Sequence, residues 1–237
     1  MKGDVFLRKK IGIVILLGVI TGIAAAGQLM GERLLERIGA EGRIQTVGKA
    51  TEQVIVIDSG HGGGDPGKIG VNNAEEKEIN LQIAKKVQQL LKEENIKVVM
   101  TRESGEGLED TNVEDLKARV ELINQIKPVL TVSIHQNSYQ DAGVHGAQVF
   151  YFSHSKEGEK AAKIIQETLR EIDPENHRKE KANDTYYMLK KTKTPIVIVE
   201  CGFLSNPKEA EKLCDEEYQM KIAKAVKKGI LDYTRGN

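Results

Sequence analysis

Three ionisable residues, His61, His135 and Glu200, each stand at or just past the carboxyl end of a short apolar run. The runs, residues 54–57, 129–134 and 196–199, are unbroken and rich in β-branched side chains, as expected of strands covered on both faces of a parallel sheet. In such sheets ligands bind beyond the carboxyl ends of the strands. Two imidazoles and a carboxylate delivered to one edge make a metal or acid/base site the leading expectation. The loop Glu75-Glu76-Lys77-Glu78 offers further carboxylates to complete it.

Between these strands the sequence alternates with helical patterns. Ile79, Ile83, Val87 and Leu90 recur at helical spacing, and residues 97–102 then read as a second strand. Thr111 and Glu114 form a capping-box pattern ahead of Val113, Leu116, Val120 and Ile123. Pro128 closes that helix. A strand over 147–152 and a helix carrying Ala161, Ile165, Leu169 and Ile172 follow, and residues 186–189 read as a short edge strand. Asn206, Pro207 and Glu209 fit the N-cap, N1 and N3 positions of a short helix, and Tyr218, Ile222, Val226 and Ile230 mark the last one. Strands alternating with helices predict a three-layer, single-domain α/β fold with a mostly parallel twisted sheet flanked by helices.

The amino-terminal part differs. Lys2, Arg8, Lys9 and Lys10 precede a nearly continuous apolar stretch over 11–27, the pattern of an export or anchor helix. Ala24-Ala25-Ala26 offers small residues to a peptidase, but the run has no polar region after it, which favours retention as an anchor. The expected organisation is a signal or membrane anchor over 1–30, a polar linker over 31–52 and a catalytic domain over 53–237, working outside the cytoplasmic membrane. The balance of 35 basic and 35 acidic residues leaves no basic footprint for nucleic acid. Cys201 and Cys214 read as small buried thiols.

The loop Asp58-Ser59-Gly60-His61-Gly62-Gly63-Gly64-Asp65-Pro66-Gly67 admits two readings. Gly62, Gly64 and Gly67 match a dinucleotide fingerprint, but that fingerprint requires its last glycine to open a helix, and no helical periodicity follows Gly67. The alternative is a tight backbone around a metal held by His61, with His135 converging from another strand. Spacing does not choose among Glu75, Glu76 and Glu78, since acidic residues are favoured in any first helical turn.

Four segments in register carry a family resemblance: Asp58-Ser59-Gly60-His61-Gly62-Gly63, Glu76-Lys77-Glu78-Ile79-Asn80-Leu81, Ser133-Ile134-His135-Gln136-Asn137, and Glu200-Cys201-Gly202-Phe203-Leu204-Ser205-Asn206-Pro207. Together they resemble the zinc-dependent N-acetylmuramoyl-L-alanine amidases of the Amidase_3 type. The resemblance implies zinc (Zn2+) ligation by His61, Glu76 and His135, with Glu200 as the catalytic carboxylate. Glu76 is selected because it holds the family's place in the Glu-Lys-x-x-Asn-Leu pattern. Ser59 stands where proline is common in the family and Cys201 where a small aliphatic is common, and neither position supplies a ligand.

Within the family the chain is most similar to the germination-specific branch of spore formers, through its short anchored layout, Thr101-Arg102-Glu103-Ser104, Asp115-Leu116-Lys117-Ala118-Arg119-Val120 and the 183–194 region. That similarity implies action on spore-cortex peptidoglycan, preparing muramic-δ-lactam, at the outer face of the cytoplasmic membrane or in the cortex space of the forespore, and leaves room for an accessory protein. A membrane-anchored glycan-binding or scaffold protein is the rival class. Glu200 argues against it, since binding needs no general base. His145, His154 and His177 read as loop or surface residues. Arg102 is divided between a substrate carboxylate and a salt bridge, and Tyr139, Tyr151, Tyr186 and Tyr187 between a glycan groove and packing.

Overall fold

The computed structural model of the chain describes residues 53–236. The predicted anchor, the predicted linker and Asn237 lie outside the described residues. Among the described residues no helix is long and apolar enough to cross a membrane.

Six strands form one sheet in the order β2-β1-β3-β6-β4-β5. They are β1 (Val54–Ser59), β2 (Lys97–Met100), β3 (Leu130–Asn137), β4 (Gln148–Tyr151), β5 (Lys181–Ala182) and β6 (Ile196–Phe203). All neighbours run parallel except β4 against β6. The helices are α1 (Glu76–Glu93), α2 (Asn112–Ile126), α3 (Lys156–Ile172), α4 (Tyr187–Lys191), α5 (Pro207–Cys214) and α6 (Glu216–Arg235).

The two-residue period of the strands sorts the core into two layers. Ile55, Ile57, Val197 and Val199 point into a large cluster with α1, α3, α5 and α6. Val56, Ile196 and Ile198 point the other way, onto Val120 and Ile123 of α2 and Met188 and Leu189 of α4. The continuous apolar runs are thus explained by helices on both faces.

Local signals set the helix ends. The Thr111 hydroxyl accepts from the Glu114 amide, and Asn206 Oδ1 accepts from the Lys208 and Glu209 amides with Pro207 in the first turn. Val113 is 62 % exposed and takes no part in the apolar face of α2.

The prediction of an edge strand over 186–189 is corrected. Asn183 Oδ1 accepts from the amides of Thr185 and Tyr186, and this turn carries the chain off the sheet into α4. The edge strand is the short β5 just before it. Two adjacent buried residues, Met188 and Leu189, carry no period that could have distinguished helix from strand. The buried-thiol reading holds for Cys201 but not for Cys214, which is exposed and lies 3.4 Å from Asn72 Nδ2.

Candidate active site

The carboxyl ends of β1, β3 and β6 meet at one edge of the sheet, and His61, Glu76, His135 and Glu200 line a single cleft of about 410 Å³ there. His135 and Glu200 are cross-strand partners on β3 and β6. His61 follows β1, and Glu76 opens α1. Glu75 is the residue before the helix and pairs with Lys77 at 3.3 Å, while Glu78 is exposed. Burial therefore singles out Glu76, which is 4 % exposed.

The Glu76 carboxylate is saturated with donors. Oε1 accepts from the Gln136 amide at 3.0 Å and from Asn80 Nδ2 at 3.3 Å, and Oε2 accepts from the Lys68 amide at 2.8 Å. His135 Nδ1 lies 3.0 Å from Oε1 and His61 Nε2 lies 3.2 Å from Oε2. On its far side His61 is steered by Asp65, whose Oδ2 is 2.8 Å from Nδ1. The two imidazoles meet edge to face with ring centroids 5.0 Å apart.

The glycines make this convergence sterically feasible. A Cβ on Gly60 would lie 2.2 Å from the His135 ring, and one on Gly67, at φ +65, would lie 2.7 Å from both Glu76 Oε2 and His61 Cδ2. The loop does not open a helix after Gly67; isolated bridges join Gly62 to Asp65 and Ile69 to Glu75 before α1 begins. The dinucleotide fingerprint is therefore coincidental.

The electrostatics of the cluster call for positive charge. Burial alone would raise the Glu76 pKa, but His135 and His61 drive it well below the usual carboxylate range. Burial alone would lower His61, but Glu76 and then Asp65 raise it to about 9. A divalent cation fits the same demand. The candidate ligand atoms of His61, Glu76 and His135 all lie within 4.8 Å of one another, and the 3.0 and 3.2 Å separations are of the order that tetrahedral bonds of about 2.0–2.2 Å require. A carboxylate behind a ligating imidazole, here Asp65, is the usual supporting partner in zinc sites.

Glu200 has the opposite character. It is 7 % exposed, and its Oε2 is buried with no hydrogen-bond partner. Burial raises its pKa to about 7, with His135 and His61 pulling down and Glu76 pushing up.

Beneath the cleft lies a polar support that the sequence did not disclose. Arg102 is buried, and its guanidinium donates to the carbonyls of Ser59, Gly60, Lys77 and Ser104. Arg119, 1 % exposed, donates to the carbonyls of Ser59 and His61, both at 2.6 Å, and pairs with Asp58 and Asp115. Asp58 also accepts from Thr101 and Ser133. The buried arginines thus clamp the backbone that carries His61. Their partners are carbonyls, which leave no trace in a residue pattern.

His145, His154 and His177 are exposed. Tyr186 and Tyr187 line the cleft, Tyr139 is exposed beside it, and Tyr151 packs on the core.

A parallel-sheet edge bearing a His-Glu-His cluster beside an unpaired carboxylate defines a hydrolase of the metal-site type. A family model for N-acetylmuramoyl-L-alanine amidase, Amidase_3, matches residues 55–232, and the chain belongs to this family. It is 39 % identical over 189 residues to the germination-specific N-acetylmuramoyl-L-alanine amidase of Bacillus subtilis, covering 76 % of this chain and 79 % of the relative. Among solved structures, the CwlD amidase of Clostridioides difficile, determined in complex with the GerS lipoprotein, superposes with TM-score 0.75 at 38 % identity, covering 78 % of this chain and all of that one. The AmiC2 amidase of Nostoc punctiforme gives TM-score 0.71 at 30 % identity over 78 % and 98 %. The protein is an N-acetylmuramoyl-L-alanine amidase acting on cell-wall peptidoglycan.

Proposed function

We propose that the chain is a zinc-dependent amidase of the spore cortex, held at the outer face of the cytoplasmic membrane by residues 1–30 and a linker over 31–52. The bond cleaved joins the lactyl group of muramic acid to L-alanine, which prepares the residue for muramic-δ-lactam formation. The germination-specific relative supports the cortex assignment, and the apolar run over 11–27 supports the anchor. The lipoprotein bound to the Clostridioides difficile relative supports an accessory protein of similar kind here.

His61, Glu76 and His135 would hold the zinc. When bound, it supplies Lewis-acid polarisation of the amide carbonyl and acidifies a water. Glu200, whose side chain lines the cleft, accepts the proton of the attacking water and returns it to the departing amine of L-alanine. Its pKa of about 7 suits both halves of that task, since a group titrating near the working pH can take and give a proton. Asp65 keeps the His61 ring turned, and Gln136 and Lys68 amides fix Glu76.

The single observation that carries this mechanism is the buried Glu200 carboxylate lining the same cleft as the His-Glu-His cluster. The test is mass analysis of purified cortex muropeptides after treatment with the full-length chain, with chelator and with zinc restored. Release of stem peptides with a free L-alanine amine, lost with chelator and regained with zinc, is expected. Cleavage indifferent to chelator overturns the zinc assignment, and intact lactyl amides overturn the reaction.

A further inference from the structure

A second hollow, of about 390 Å³, adjoins the catalytic cleft and shares Asn137 and Tyr186 with it. It is built from continuations of the strands that bear the reactive residues. Asn137 lies two residues past His135 on β3, Phe203 lies three past Glu200 on β6, and the two are cross-strand partners. Across β6, Gln148 of β4 is the register partner of Glu200.

Two cations line this hollow, Arg178 and Lys181. Arg178 is held in place from three sides. Its Nε donates to the His145 carbonyl at 2.7 Å, its Nη1 to Gln148 Oε1 at 3.3 Å, and its guanidinium carbon sits 4.6 Å from the Phe203 ring centroid. Lys181 Nζ lies 6.0 Å from the Phe150 ring centroid. Neither forms an ion pair with a carboxylate among the described residues, in contrast to Arg119, whose guanidinium is paired with Asp58 and Asp115. A guanidinium fixed by neutral partners and retaining free N–H donors is organised in advance for an external carboxylate.

Resting on the amidase reading of the cleft, we propose that Arg178 and Lys181 form a subsite for the α-carboxylate of the residue that follows L-alanine in the peptide stem. In the uncleaved substrate the amino sugars are neutral and the lactyl group is amidated, so its carboxylates lie on the stem. The subsite lies one strand beyond Glu200 through Gln148, on the side opposite β3, and so assigns the peptide half of the substrate to the β4–β5 side of the cleft.

The test compares N-acetylmuramoyl-L-alanyl-D-glutamate with its α-amide, D-isoglutamine. Equilibrium binding is measured on the full-length Glu200→Gln chain, whose turnover is expected to be about 10²- to 10⁴-fold slower, and cleavage on the parent. The free acid is expected to bind roughly tenfold tighter, the scale of one charge-assisted hydrogen bond at a partly exposed site. Adding Arg178→Gln or Lys181→Gln to the Glu200→Gln chain should remove that preference while leaving affinity for the amide unchanged. Equal affinity for the two peptides, or variants that weaken both alike, overturns the subsite. Failure of the parent chain to cleave either peptide counts against the amidase reading of the cleft, and the binding ratio still decides the subsite.

Discussion

The floor of the cleft and its β6 wall treat buried carboxylates in opposite ways. On the floor, Asp58 and Glu76 are surrounded by donors and held ionised, Asp58 at about 2 because Arg119, Ser133 and Thr101 outweigh its burial. On the wall, Glu200 is equally hidden but has an oxygen with no partner and a pKa near 7. Burial is common to all three, so the positively charged and hydrogen-bonding partners decide the outcome. Saturated carboxylates hold geometry or a cation; the unsaturated one is free to handle a proton.

The largest effect should come from removing the wall's proposed proton acceptor. Glu200→Gln keeps shape but cannot accept the water proton, and muropeptide cleavage should fall about 10²- to 10⁴-fold, with zinc content by elemental analysis unchanged. Zinc loss in this variant would make Glu200 a ligand and erase the contrast. In the parent, cleavage should decline as pH falls through about 7 or below, since protonated Glu200 is no base.

Next is the floor. Arg119→Met leaves Asp58 and Asp115 without their buried cation, a change expected to lower unfolding free energy by about 3–5 kcal/mol. Denaturant titration measures it, and a loss under about 1 kcal/mol would mean that the floor is not held by this pair.

A smaller effect separates support from ligation. Asp65→Asn removes the carboxylate behind His61 and should weaken zinc binding about 10- to 100-fold, measured by competition with a chromogenic chelator, with little change in melting temperature. Finally, Asp58 titrates from the ordinary 3.8 down to about 2 on folding. Its contribution, on the order of 2 kcal/mol, is fully present above pH 4 and is lost as pH falls toward 2. An acid limb of stability missing from Asp58→Asn would confirm the assignment.

The layers, the parallel sheet and the placement of His61, His135 and Glu200 at strand ends were legible because each apolar run is long enough to require cover on both faces. Glu76 was not legible from spacing, since its distinction from Glu75 and Glu78 is burial, and the family pattern selected it instead. The helix at Tyr187–Lys191 was missed because the Asn183 turn outweighs a short apolar pattern. Arg102 and Arg119 were visible as residues but not as a clamp, because their acceptors are backbone carbonyls brought together only by the fold.

The register that sets His135 opposite Glu200 has a further consequence. The separation of their backbones is the spacing of neighbouring strands, about 4.8 Å, a constant of the hydrogen-bond ladder and not of any loop. Substitutions in the surrounding loops would therefore leave the spacing of the His135 and Glu200 backbones unchanged.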